Sequence, residues 1–113
     1  MGYGKGGQET QGIHTRLFAR SFIVADSNQN RMVYVNCDLG MISTIVKMEV
    51  VNNLKALYGD LYRHDNVMLA STHTHAGPGG YLQYVLYIIS TQGFNKKNFN
   101  VIVSGILRVR SCF

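Results

Sequence analysis

The chain has 113 residues, 46% of them hydrophobic and 15% charged. That size and composition allow one domain with a buried core and exclude a disordered tail. The charged share lies below the roughly 25% of an ordinary soluble domain, so part of the surface is expected to be covered by another chain segment. The net charge of +5 arises from 11 Lys and Arg against 6 Asp and Glu. The basic residues are scattered, and only Lys96 and Lys97 are adjacent. A nucleic-acid binder gathers such residues on one face, so no nucleic-acid partner is expected. An anionic membrane surface remains open as a partner. No apolar run reaches the roughly 18 residues of a membrane-spanning helix, and the opening MGYGKGGQET has no apolar signal-peptide core. The two cysteines, Cys37 and Cys112, make no zinc or redox spacing. Cys37 is expected to be a buried free thiol.

In chain order, residues 1–15 form a glycine-rich loop. Arg16 to Asp26 (RLFARSFIVAD) is rich in aromatic and β-branched residues and reads as a strand. Ser27 to Asn30 (SNQN) is turn chemistry. Arg31 to Asp38 (RMVYVNCD) alternates, with Val33, Val35 and Cys37 on one face, and completes a β-hairpin. From Ser43 to Tyr58, Val46, Val50, Leu54 and Leu57 recur at helical spacing, and Val51 and Tyr58 widen the stripe. Ser43 can cap the start of this helix and Gly59 can close its end. Val67 to Ser71 (VMLAS) is an uncharged run between polar flanks and is expected to be a strand buried on both faces. Tyr81 to Ser90 is apolar nearly all round, which reads as a buried helix or a buried strand, with helix favoured. Phe99 to Arg110 reads as a further helix, with Phe99, Ile102, Ile106 and Val109 on one side. The fold class is therefore α/β: a mixed sheet with helices packed on it, in a single unit over 1–113.

Between the last strand and the next helix lies THTHAGPGG, Thr72 to Gly80. If the strand continued through it, His73 and His75 would project to one face, since side chains alternate along extended backbone. Two imidazoles at the carboxyl end of a strand suit a metal or catalytic pair, and in α/β sheets ligands gather there. The glycine turn would let backbone pass close to whatever sits beside it. Neutral imidazole suits zinc, whose bound water is acidic enough to supply hydroxide near neutral pH. The plain alternative is two polar residues ending a strand. His14 and His64 read as surface residues.

NVMLASTHTHAGPGGYLQY closely resembles the neutral ceramidase family, as do MGYGKGGQETQGIHTRLFARSFIVAD and YGDLYRHDNV. The resemblance covers roughly residues 1–107. It implies the amino-terminal part of a catalytic domain of zinc amidases, which cleave the N-acyl bond of ceramide to give sphingosine and a fatty acid, on or outside the plasma membrane. By the same resemblance His73 is a zinc ligand. His75 lies beside the metal and helps hold the scissile amide and the attacking water. The family's other ligands (a histidine, a glutamate and a tyrosine) lie downstream of the segment that this chain matches, as does an assisting arginine. The glycine-rich loop would lie near the pocket. Residues 108–113 read as a divergent tail and Met1 as an internal methionine. With at most two of the ligands that a catalytic zinc requires, this chain alone is expected to be inactive. Two alternatives stand beside this: an inert product that binds the full-length enzyme or a lipid surface, and an unrelated small metal-binding module. The oligomeric state is left open.

Overall fold

The computed structural model describes Gly7 and residues 11–109. Three strands form one sheet in the order β1-β2-β3: β1 is Ala19–Ala25, β2 is Arg31–Cys37 and β3 is Val67–Ser71. β1 pairs antiparallel with β2, with Phe22 opposite Tyr34, and β3 pairs parallel with β2, with Leu69 opposite Val35. The sheet is thus mixed, as expected. The hairpin turn is held by Asp26, whose carboxylate accepts from the backbone of Asn28 and Asn30 at 2.9 and 2.8 Å.

Parallel strands cannot be joined by a tight turn and need a crossover. Helix α1, Thr44–Tyr58, supplies it between β2 and β3. Its caps are those expected: the fully buried Ser43 accepts from the Val46 amide at 3.3 Å, and Gly59, at φ 63°, returns its N–H to the Lys55 carbonyl. Val46, Val50, Val51 and Leu54 are buried, whereas Leu57 and Tyr58 at the end of the same stripe are exposed. The core joins this face to Val33, Val35 and Cys37 of β2, Val67 of β3, and Ile102, Val103 and Ile106 of the last helix. Each such aliphatic side chain stabilises the fold by about 1.5–3 kcal/mol relative to exposure. Cys37 is the buried free thiol expected, and burial, helped by the neighbouring Asp38 charge, pushes it up to about 11.

Expectations for three elements are corrected. The β3 strand is not buried on both faces: Val67 is buried, but Met68 is 52% exposed. Met68 shares the sheet's outer face with Phe22, Val24 and Met32, all exposed, because the core, with the buried faces of α1 and the last helix, lies on the other side. The helix expected from Tyr81 begins only at Val85: α2 is Val85–Ser90. Tyr81 and Leu82 are instead fully buried outside any helix or strand, and the Tyr81 hydroxyl donates to the Met41 carbonyl at 2.8 Å. Nor is α2 buried, since Val85, Leu86 and Ile89 are each exposed. Finally, α3 starts three residues early, at Lys96, and runs to Arg108. Asn95 caps it by accepting from the Asn98 amide at 3.0 Å. Among the described residues, no helix is long and apolar enough to cross a membrane.

Candidate functional site

His73 and His75 lie just past the carboxyl end of β3, where the spacing placed them, but they meet by another route. The strand ends at Ser71, and His73 adopts a left-handed conformation, φ 60°. Strand alternation therefore does not bring the rings together; a turn does. The ring centroids are 5.0 Å apart and nearly perpendicular, at 78°. Left-handed backbone costs a non-glycine residue about 1–2 kcal/mol, and here it persists because the loop is held from the side.

The support is the segment that leaves β2. Thr72 N–H donates to the Cys37 carbonyl at 2.9 Å and Thr74 N–H to the Leu39 carbonyl at 3.1 Å. The His73 ring closes the set, with Nδ1 lying 2.7 Å from the Gly40 carbonyl oxygen. A carbonyl only accepts, so Nδ1 carries the hydrogen, and in the neutral ring the lone pair lies on Nε2. A ligating histidine is commonly held this way, its second nitrogen donating to a backbone carbonyl. Residues 39–41 are held in turn by Tyr81, whose hydroxyl both donates to the Met41 carbonyl and accepts from the Met41 N–H, at 2.8 and 3.4 Å. Sequence reasoning missed Gly40 and Tyr81. The glycine that follows Asp38 and Leu39 past the end of β2, in CDLGM, is the one local signal for the first.

The glycine turn is explained by packing. At Gly80, φ is 76° and an added Cβ would lie 3.0 Å from the Asn95 Cβ. The Gly80 carbonyl accepts from the Asn95 amide at 2.6 Å, and the Gly79 carbonyl accepts from the Asn98 side chain at 2.9 Å. What passes close to this turn is the amino-terminal end of α3. We therefore expect Gly80→Ala to cost roughly 1–3 kcal/mol through positive φ and the close contact. Gly12→Ala, in open space at ordinary φ, is the matched neutral control, and thermal unfolding of the two variants checks the difference.

Other acidic and imidazole groups do not join the pair. His14 and His64 are exposed, as expected, in loops. Asp65 is paired with Arg63 at 3.0 Å. Asp38 is engaged by Arg20 and by the Phe18 amide, each at 3.0 Å, and the Arg20 hydrogen bond is the main reason its carboxyl is held below the usual range. Among the described residues, no three His, Cys, Asp or Glu side chains converge on a metal position. The donor chemistry nevertheless fits zinc in part: two neighbouring imidazoles, one with its tautomer fixed. A catalytic zinc takes three protein ligands and an open position, so these residues fit as a portion of a site.

The fold and this geometry define a sheet-edge histidine loop of one particular class. The model of the family described as "Neutral/alkaline non-lysosomal ceramidase, N-terminal" matches residues 1–111, and the chain belongs to that family. It is 55% identical over 106 residues to a neutral ceramidase of Oryza sativa subsp. japonica, covering 94% of this chain and 14% of that protein. Against a neutral ceramidase of Pseudomonas aeruginosa it is 50% identical over 109 residues, 96% of this chain and 16% of the relative. The crystal structure of neutral ceramidase from Pseudomonas aeruginosa matches 98% of the chain with a TM-score of 0.92 at 49% identity, over 18% of its own length. A structure described as a ceramidase complexed with C2 matches at a TM-score of 0.91 and 50% identity, over 96% of this chain and 17% of its own. The chain thus spans less than a fifth of the relatives it matches.

Proposed function

We propose that this polypeptide supplies the histidine loop of a zinc-dependent ceramide amidohydrolase, with His73 as a metal ligand and His75 beside the scissile amide. The observation that carries the reading is the His73 ring. Its Nδ1 is committed to Gly40, and it stands 5.0 Å from His75, in a chain that belongs to the neutral ceramidase family. Zinc, when bound, would polarise the amide carbonyl and acidify a water. This chain's own part is to hold Nε2 of His73 as a donor in a fixed tautomer. It also presents a second imidazole that can take or return a proton. The site needs ligands beyond those found here, which the resemblance places downstream of the matched segment. The glycine-rich loop over residues 1–15 would border the pocket; apart from Gly7 and 11–15 it lies outside the described residues, as do residues 110–113 of the divergent tail. The same reading puts the work at a lipid surface, extracellular or at the plasma membrane.

A specific observation favours a second reading, that this polypeptide docks inertly on a full-length enzyme or a lipid surface. The outer sheet face and α2 expose Phe22, Val24, Met68, Val85 and Leu86. One experiment separates the two. The 113 residues are joined to the remaining catalytic residues of the Pseudomonas aeruginosa relative, and hydrolysis of a fluorescent short-chain ceramide is measured. The proposal expects turnover that chelator abolishes and added zinc restores. A folded chimera with no turnover, or with turnover indifferent to chelator, overturns it.

A further inference from the structure

We infer that Asp38 is a positioning residue for the histidine loop, acting through the strand exit that carries it; the inference rests on the proposed role of His73. Asp38 sits between two sets of bonds. On one side its carboxylate accepts from the Phe18 N–H at 3.0 Å and from the Arg20 guanidinium at 3.0 and 3.4 Å. Its own N–H donates to the Phe18 carbonyl at 2.8 Å. On the other side, the three carbonyls that hold the loop belong to its neighbours: Cys37 holds Thr72, Leu39 holds Thr74 and Gly40 holds the His73 ring.

Asp38 therefore fixes the backbone from which every one of those carbonyls projects. It does so as a charge-assisted, two-pronged partner of Arg20, the strong form of such a bond. The Asp38 side chain is only 18% exposed, so water competes little for it. A left-handed His73 in a loop that depends on the carbonyls of Cys37, Leu39 and Gly40, distant in sequence, needs those carbonyls held still. The Asp38 knot supplies that hold, without touching either histidine ring.

The test reads the histidine ring itself, apart from any hydrolysis. Ring nitrogen chemical shifts of His73 and amide exchange at Thr72 and Thr74 are measured by NMR on the 113-residue chain. The variants are Asp38→Ala and Asp38→Asn; the asparagine keeps an acceptor for Phe18 but loses the charge that holds Arg20. With Asp38→Ala, exchange at Thr72 and Thr74 should rise by about tenfold or more, as expected when bonds to a charged group are lost. The His73 ring should pass from one tautomer to a mixture, while exchange in α1 stays unchanged. Asp38→Asn should show the same changes at smaller size, and it decides the matter if Asp38→Ala unfolds. A folded variant that keeps both the His73 tautomer and the loop protection of the parent overturns the inference. Because neither readout uses ceramide, a failure of the amidohydrolase reading would leave this result standing, and the reverse also holds.

Discussion

Replacing His73 by alanine, in a polypeptide that carries the complete set of ligands, should abolish zinc binding and ceramide hydrolysis together. Zinc in a catalytic site holds only three protein ligands, so losing one leaves too few donors to retain the ion. The structure adds a way to separate this from misfolding. His73 is exposed, so the core loses little, but alanine is poorly suited to φ 60°. Asparagine tolerates the left-handed region better than most residues. His73→Asn should therefore keep thermal stability near that of the parent while losing zinc just as completely. Metal content by elemental analysis, read beside a melting curve, checks both halves. A variant that keeps stoichiometric zinc contradicts the assignment.

His75→Ala should behave differently. Its ring neighbours that of His73 at 5.0 Å, and we assign it proton transfer or charge stabilisation beside the amide. Zinc content should stay at the parent level, while turnover falls by roughly 100-fold or more, the usual contribution of a general acid or base. The drop should appear in kcat, because the group acts on the reacting atoms. Steady-state kinetics together with zinc analysis of the same sample test this. Loss of zinc in His75→Ala would make His75 a ligand, and unchanged kcat would remove it from the chemistry.

Much of this arrangement was legible in the chain because it rests on local patterns. The alternation of Val33, Val35 and Cys37 gave the buried face of β2, and Ser43 and Gly59 bracketed α1. The bounds of β3 followed from an uncharged run between polar flanks. Elsewhere the pattern told less. An apolar run such as Val85 to Ser90 says that cover is needed, yet not whether the described residues supply it, and they do not. The apolar stripe of α3 begins at Phe99, so periodicity leaves its first turn from Lys96 unmarked; the Asn95 cap is the local signal for that start.

The candidate site divides the same way. That His73 and His75 would be neighbours was readable from their spacing. The turn that joins them was not, because the left-handed His73 is tied to Gly40, and Gly40 is held through Met41 by Tyr81. Those partners are distant in sequence and leave no periodic trace. The glycine turn reads as letting backbone pass close to a neighbour, and at Gly80 that neighbour is Asn95, which the sequence did not identify. Low overall charge did anticipate an uncovered surface, and the outer sheet face, with Phe22, Val24, Met32 and Met68 exposed, is that surface.

The most direct test of the central claim is zinc stoichiometry, measured on the 113-residue chain and on the chimera that continues it with the rest of the Pseudomonas aeruginosa catalytic residues. After dialysis against metal-free buffer, the chimera should retain one zinc per polypeptide and lose it with His73→Ala. The short chain, which brings no third ligand to the pair among its described residues, should retain none. Tight zinc in the short chain, or a chimera that keeps its zinc without His73, would contradict the account.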